Sequence, residues 1–218
     1  MRLVVLEATA AAATGYPDCE LIGQGLVAQP SAALTSLAFI PLGLWVIADR
    51  RAQWSGRGLL GVTILAVGVG SFLGHASASD WGREIDSLAI KLMLITFVLQ
   101  PMAGTLAWSP AILRRAWLVA AAAVLTIQLA LPAVANPLLG LLAVAALGLA
   151  FAAVEDHTQG WLLAGLGLLS AGAALWWLGR EGGPLCAAEA SLQPHGLWHI
   201  LAAAGIASIY QVHRSSTA

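Results

Sequence analysis

Five polar residues stand near the ends of long apolar runs, where they could do chemistry together. Ser71 and His75 are four residues apart, as are His195 and His199, so each pair lies on one face if its run is helical. Asp86 follows His75 by eleven residues. Three imidazoles can hold Zn²⁺ and leave a fourth position open, the arrangement typical of catalytic zinc. A metal held in this way activates water and polarises a carbonyl group.

The serine and the aspartate suit supporting roles in the same reaction. Asp86 could orient a ligand or take a proton from the water, and Ser71 could donate a hydrogen bond to a developing oxyanion. Copper or iron could also bind three histidines, but zinc is preferred because hydrolysis needs no redox chemistry. The alternative is that the histidines form no site and each one lies at a membrane interface. We expect one shared site, with His75, His195 and His199 as metal ligands.

Composition places this site in a membrane. Of the 218 residues, 59% are hydrophobic and only 10% are charged, whereas a soluble domain carries about 25% charged residues. A spanning helix needs about 20 mainly apolar residues, and seven runs qualify. The predicted spans are 30–48, 57–76, 84–105, 110–131, 136–154, 160–179 and 194–212. The sequence thus predicts an all-α integral membrane protein, a bundle of seven transmembrane helices forming one domain over residues 1–218. The net charge of −1 gives no electrostatic case for binding nucleic acid.

Arginines predict how the bundle lies in the membrane, because cytoplasmic loops carry an excess of basic residues. One side has Arg50, Arg51, Arg57, Arg114, Arg115 and Arg214, and the other has Arg2, Arg83 and Arg180. We therefore expect a cytoplasmic C-terminus and an external N-terminal segment, residues 1–29. The site then faces outward, from the cytoplasmic (inner) membrane if the protein is bacterial. Residues 1–15 have features of a signal peptide, but Glu7 interrupts the apolar run, so we expect no cleavage.

Both cysteines fall on the predicted external side. Cys19 precedes the first span and Cys186 lies in the loop before the last one. An oxidising compartment would allow a disulfide between them, which would tie the N-terminal segment over the mouth of the bundle. The alternative is two unrelated thiols.

The motifs, taken in order, resemble the alkaline ceramidase family. They are Ser-x₃-His at the end of one helix, an Asp eleven residues later, and His-x₃-His opening the last helix. The N-terminal stretch resembles the family's Cys-Glu pair followed by Ala-Glu and an Asn/Ser-rich first helix; it reads DCELIGQGLVAQPSAALTSLAF. The family belongs to a wider group of seven-span membrane hydrolases that includes the adiponectin and progestin receptors. The Cys-Glu element favours the ceramidase branch.

The resemblance implies a zinc-dependent amidase. Zinc would be held by His75, His195 and His199, and Ser71 and Asp86 would support the attacking water and the tetrahedral intermediate. The amide of ceramide or a related N-acyl lipid would be cut to a sphingoid base, or another amine, and a fatty acid. The lipid would enter sideways from the bilayer, and we expect no obligate protein partner. The family's external cysteine pair would match the two cysteines of this chain.

The N-terminal segment departs from the family pattern. Animal members bind calcium there, and the matching residues are Asp18, Glu20 and Gln29. The neutral Gln29 stands where the family has a glutamate, and an amide is a poorer Ca²⁺ ligand than a carboxylate. The sequence therefore favours Zn²⁺ alone, with a calcium-like site at these residues as an open alternative.

Two other classes of membrane protein compete with an enzyme. One is a seven-span receptor or signalling protein with a structural zinc site, although the sequence shows no sizeable domain on either side of the membrane to pass on a signal. The other is a small-solute transporter, whose path should carry ionisable groups at several depths. Apart from Lys91, to which we assign no role, the ionisable groups in the spans lie near one end of the predicted bundle. This pattern favours a site over a path.

Overall fold

The computed structural model describes residues 18–49 and 56–215, which form a bundle of eight helices. They are α1 (Pro30–Ser36), α2 (Phe39–Ala48), α3 (Arg57–Ser77), α4 (Asp80–Thr105), α5 (Pro110–Ala130), α6 (Pro132–Ala152), α7 (Gln159–Leu178) and α8 (Pro194–Ser215). This part of the chain contains no strand, only an isolated bridge between Asp18 and Arg180. The all-α prediction is confirmed for these residues. The signal-like residues 1–15 lie outside them.

Six of the predicted spans are confirmed in the described residues as helices long and apolar enough to cross a membrane, with α1 and α2 together making the first. The chain is thus a multi-pass membrane protein by length and composition. The seventh predicted span, 194–212, is helical as α8, but α8 is not among the six described helices that are apolar enough to cross a membrane. Its crossing, and the side on which each terminus lies, stay predictions.

A tight hairpin joins the two helices that carry Ser71, His75 and Asp86. Ala78 adopts the left-handed conformation (φ 43°) that ends α3, and Ser79 starts α4 by accepting a hydrogen bond from the Gly82 N–H at 3.2 Å. Because only these two residues separate the helices, the second turn of α4 lies beside the last turns of α3.

One joint is shorter than the sequence suggests. The stretch LPAVANP is expected to separate two spans, but α6 already begins at Pro132 and carries Pro137 inside it, so only Leu131 separates α5 from α6. Proline is well placed at a first helical position, because its missing N–H would have no partner within the helix there.

The core lies around α3, which packs against α1, α2 and α4, while α8 packs against α7 and α1. Its buried apolar side chains include Val46, Leu60, Ile64, Met93, Phe97 and Ile206. Small residues let the helices approach, as is common in membranes. A Cβ on Gly165 would lie 3.0 Å from the Gly205 carbonyl oxygen, so α7 and α8 touch backbone to backbone there. The side chains of α5, α6 and α7 are mostly exposed, as suits helices that face lipid.

Polar residues close the end of the bundle farthest from the histidines. The Asp49 carboxylate accepts hydrogen bonds from Arg214 Nε at 2.9 Å and from the Tyr210 hydroxyl at 3.2 Å. His213 is only 7% exposed, and its ring centroid lies 5.9 Å from that of Phe97. Helix α8 extends past residue 212 and keeps this side chain inside the bundle.

Candidate metal centre

Three histidines from two helices meet at one end of the bundle. His75 is in the last turn of α3, and His195 and His199 are in the first two turns of α8. One ligand nitrogen of each lies within 4.8 Å of the others, and the ring centroids are 4.7 to 5.2 Å apart. His75 and His199 are buried and His195 is partly buried. The three imidazoles predicted to share a site are therefore side by side.

Each histidine points its Nδ1 atom at an oxygen that can only accept a hydrogen bond. The pairs are His75 with Gln29 Oε1 at 2.8 Å, His195 with Asp18 Oδ1, and His199 with the Ala32 carbonyl oxygen at 3.0 Å. Each Nδ1 must then carry the proton, and in a neutral imidazole the other nitrogen, Nε2, keeps its lone pair. All three rings are thereby set in the tautomer that offers Nε2 as a ligand.

The closest contact between the rings agrees with these tautomers and with a metal bound by the Nε2 atoms. His195 Nε2 lies 3.1 Å from His199 Nε2. Two lone pairs that face each other at this distance require a proton or a cation between or beside them. Three imidazole nitrogens backed by a carboxylate, an amide and a backbone carbonyl make a donor set that suits Zn²⁺. The residues present fit the predicted metal.

The predicted supporting residues lie beside the histidines. Ser71 Oγ is 3.5 Å from His199 Nε2. Asp86, across the α3–α4 hairpin, adjoins Ser71 and lies within electrostatic range of His195. Its Oδ1 atom is buried with no hydrogen-bond partner among the described residues. An orphaned carboxylate oxygen beside three ligands can accept a proton or a hydrogen bond from a molecule bound there.

The three residues considered for calcium have separate partners. Both oxygens of Glu20 accept backbone N–H groups at the start of α1, from Ser31 at 2.6 Å and from Ala32 at 2.9 Å. Gln29 and Asp18 are the Nδ1 partners described above. Ca²⁺ takes six to eight oxygen ligands, and of these carboxylate and amide oxygens only Asp18 Oδ2 has no hydrogen-bond partner. This donor set fits Ca²⁺ poorly.

The pKa values of Asp18 and Glu20 are shifted in opposite directions. Burial opposes ionisation of Asp18, but electrostatic interaction and a hydrogen bond with His195, together with interaction with His75, hold the pKa of Asp18 below its usual value. Burial raises the pKa of Glu20, and the hydrogen bonds from Ala32 and Ser31 oppose that rise. Asp18 is therefore an ionised acceptor at neutral pH, as its contact with His195 requires.

Helix α1 packs against the start of α8 and positions the histidines there. Ser31 Oγ accepts a hydrogen bond from the Gln193 N–H at 2.9 Å, just before α8 begins. A Cβ on Gly196 would lie 2.8 Å from Ser31 Oγ and 3.0 Å from Thr35 Oγ1. Glycine at this position lets the first turn of α8 come close enough for His199 to reach the carbonyl of Ala32.

A disulfide joins Cys19 to Cys186, with their Cα atoms 5.3 Å apart. This confirms the predicted pairing. The bridge connects the stretch that carries Asp18 and Glu20 to the loop between α7 and α8, so this stretch lies at the same end as the histidines.

Lys91 lies outside this centre. Its fully buried ammonium group donates to Ser87 Oγ at 2.6 Å and to Gln128 Oε1 at 2.9 Å. Gln128 in turn donates to the Glu84 side chain at 2.7 Å. The lysine thus belongs to a polar bridge between α4 and α5.

Sequence reasoning did not find the acceptors behind the histidines. Asp18 and Gln29 stand out only as candidate calcium ligands, and nothing in the sequence pairs them with rings 177 and 46 residues away. The acceptor for His199 is a main-chain carbonyl, which has no side-chain signal at all. Only the general rule that a ligating histidine has a second partner could have prompted a search for them.

A known protein family matches most of this chain. A family model described as Ceramidase matches residues 23–217. The match spans most of the chain and contains all three histidines, Ser71 and Asp86. No curated protein sequence matches the chain. On the extent of the family match, the chain belongs to the ceramidase family.

Proposed function

We propose that the protein is a metal-dependent membrane amidase that hydrolyses ceramide or a related N-acyl lipid. The products are a sphingoid base, or another amine, and a free fatty acid. Family membership supports hydrolysis of this kind of lipid. The observation that carries the proposal is the facing pair of Nε2 atoms on His195 and His199, with His75 beside them. The orphaned oxygen belongs to Asp86, which adjoins Ser71 and lies within electrostatic range of His195.

Zn²⁺ is the proposed metal, with the Nε2 atoms of His75, His195 and His199 as its ligands. When bound, it supplies Lewis acidity that activates a water and polarises the amide carbonyl. The protein fixes the ligand geometry in advance, because each ring is oriented by its own Nδ1 acceptor. Little reorganisation is then needed when the metal binds.

Asp86 is the proposed general base and general acid. Its carboxylate takes one proton from the water as the water oxygen bonds to the amide carbon. It then gives that proton to the amide nitrogen as the C–N bond breaks, so amide and water become acid and amine. Ser71 is placed to donate a hydrogen bond to the oxygen that becomes negative at the tetrahedral stage. Its hydroxyl adjoins both Asp86 and His199.

A substrate embedded in the bilayer suits the surroundings of the centre. Apolar side chains are exposed on the neighbouring turns, including Leu34 on α1, Leu73 on α3 and Ile85 on α4. A lipid lying against these helices could present its amide to the site while its chains stay in the membrane. We propose that the site faces the external side, as the arginine distribution indicates.

Fatty-acid release tests the proposal. Purified protein in detergent is given a panel of ceramides and other N-acyl lipids, and free fatty acid is quantified by mass spectrometry. His199→Ala is compared with His157→Ala, a matched histidine whose side chain is 60% exposed in a connecting loop. We expect release from at least one lipid, lost in His199→Ala and kept in His157→Ala. Bound metal without release from any lipid would favour the receptor-like alternative with a structural zinc site.

A further inference from the structure

The N-terminal segment contacts ligands from two different helices through a single carboxylate. Asp18 Oδ1 accepts the Nδ1 proton of His195 on α8, and its Oδ2 lies 3.8 Å from Nδ1 of His75 on α3. Asp18 is only 4% exposed. One side chain thus fixes the orientation of one ring and lies in ion-pair range of a second.

Asp18 is held in place by its own contacts and by those of its chain neighbours Cys19 and Glu20. Cys19, the next residue, is bonded to Cys186 in the loop that leads into α8. Asp18 also forms an isolated backbone bridge with Arg180 in the same loop. On the other side, Glu20 accepts the two N–H groups at the start of α1. The disulfide is the one covalent tie in this set.

The arrangement has an energetic consequence for metal binding. An outer acceptor such as Asp18 fixes the ring in the correct tautomer, and loss of such an acceptor typically weakens metal binding about 10- to 100-fold. A carboxylate acts this way only if it stays within hydrogen-bond distance of the ring. Residues 18–20 belong to no helix, so without the disulfide they depend on Glu20 and the bridge to Arg180.

We propose that Asp18 is a positioning residue for the metal ligands and that the Cys19–Cys186 disulfide serves the centre by holding Asp18 against His195 and His75. The proposal rests on the metal centre of the proposed function. It assigns to the disulfide a role in metal affinity, in addition to any role in stability. The segment concerned precedes residue 23, where the family match begins.

Metal affinity of the full chain tests it without relying on activity. Metal-free protein in detergent is titrated with Zn²⁺ against a chelator of known affinity, and with Co²⁺, whose visible spectrum reports the ligand geometry. The variants are Asp18→Asn and the double variant Cys19→Ala/Cys186→Ala, which leaves no free thiol to bind metal. Asp156→Asn, in an exposed loop, is the matched control. Asp18→Asn keeps the disulfide, the side-chain size and one acceptor oxygen, but it removes the negative charge that makes the histidine a stronger metal ligand. It therefore tests the role of the carboxylate charge even if the cysteine variant folds poorly.

We expect Asp18→Asn and the cysteine variant each to bind Zn²⁺ about 10- to 100-fold more weakly, with an altered Co²⁺ spectrum, and Asp156→Asn to match the wild type. Both changes are expected to act through one contact. The variant that combines all three substitutions should therefore bind Zn²⁺ no more weakly than whichever of the two variants binds it less tightly. Additive losses would mean that the disulfide acts independently of Asp18. Unchanged affinity in Asp18→Asn would overturn the inference and leave the proposed function standing, whereas a wild type that binds no metal would overturn both.

Discussion

His195 Nε2 and His199 Nε2 face each other at 3.1 Å, one turn apart on α8. Their other ring nitrogens are directed at Asp18 and at the Ala32 carbonyl, which only accept hydrogen bonds. The contact therefore brings two lone pairs together, an arrangement that a proton or a cation between or beside them would relieve. With His75, the two histidines at the start of α8 could hold a metal ion.

The histidines should therefore set the metal content. Wild-type protein is expected to hold one Zn²⁺ per chain, and His75→Ala or His199→Ala to hold much less than one, because two imidazoles rarely retain zinc against a chelator. Metal analysis after gel filtration measures this. His157→Ala is the control and should keep the wild-type content. Equal zinc in all four proteins would place the metal elsewhere.

Gln29 should support the centre through His75. Its main-chain N–H donates to the His75 carbonyl at 3.1 Å, and its side chain accepts the Nδ1 proton of the same residue. Gln29→Leu removes that acceptor and is expected to weaken zinc binding about 10- to 100-fold. Gln29→Glu keeps an acceptor oxygen and should stay near the wild type.

The control for this pair is Gln159→Leu, at an exposed position at the start of α7. Zinc affinity of the three variants is compared by chelator competition. A Gln29→Leu protein with wild-type affinity would contradict the assignment of the amide to His75.

Asp86 and Ser71 should affect turnover more than metal binding. Asp86→Asn removes the group that moves the proton and is expected to lower kcat about 10²- to 10⁴-fold. Ser71→Ala removes one donor to the developing negative charge and should lower kcat about 10²- to 10³-fold. Zinc content should stay at one per chain in both variants. Loss of metal together with activity would mean that these residues act on the ligands instead of the substrate.

Calcium should have no effect on the enzyme. Both Glu20 oxygens accept hydrogen bonds from main-chain N–H groups, and the Gln29 side-chain oxygen accepts one from His75. These three oxygens are therefore poorly available to Ca²⁺. Fatty-acid release is expected to be the same with added Ca²⁺ and with a calcium-selective chelator. A several-fold stimulation by Ca²⁺ would show that the N-terminal segment rearranges to bind it.

The Lys91 bridge should matter for stability and not for chemistry. Gln128→Leu removes the acceptor of a buried ammonium group and is expected to cost about 2 kcal/mol, as for hydrogen bonds to charged groups. Thermal unfolding in detergent should shift down by several degrees, with the rate per folded molecule unchanged. The double variant Lys91→Met/Gln128→Leu should regain most of the loss, because it leaves no buried charge. A double variant less stable than Gln128→Leu would contradict this account.

The ligands could be predicted from the sequence because their spacing is local. A four-residue interval puts His195 and His199 on one helix face, and the short hairpin after His75 fixes where Asp86 falls. Asp18 could not be paired with His195 in this way, since only the folded chain and the disulfide bring residues so distant together. Gln29 and Glu20 carry oxygens that suit several partners, and the family resemblance suggested them only as possible calcium ligands.

Activity as a function of metal occupancy tests the central claim most directly. Metal-free wild-type protein in detergent is given Zn²⁺ in steps up to two equivalents, and bound zinc and fatty-acid release from the preferred N-acyl lipid are measured on the same samples. We expect release to rise in proportion to bound zinc and to level off at one per chain. Full release from metal-free protein, or no release at one bound zinc, would contradict a metal-dependent amidase built on His75, His195 and His199.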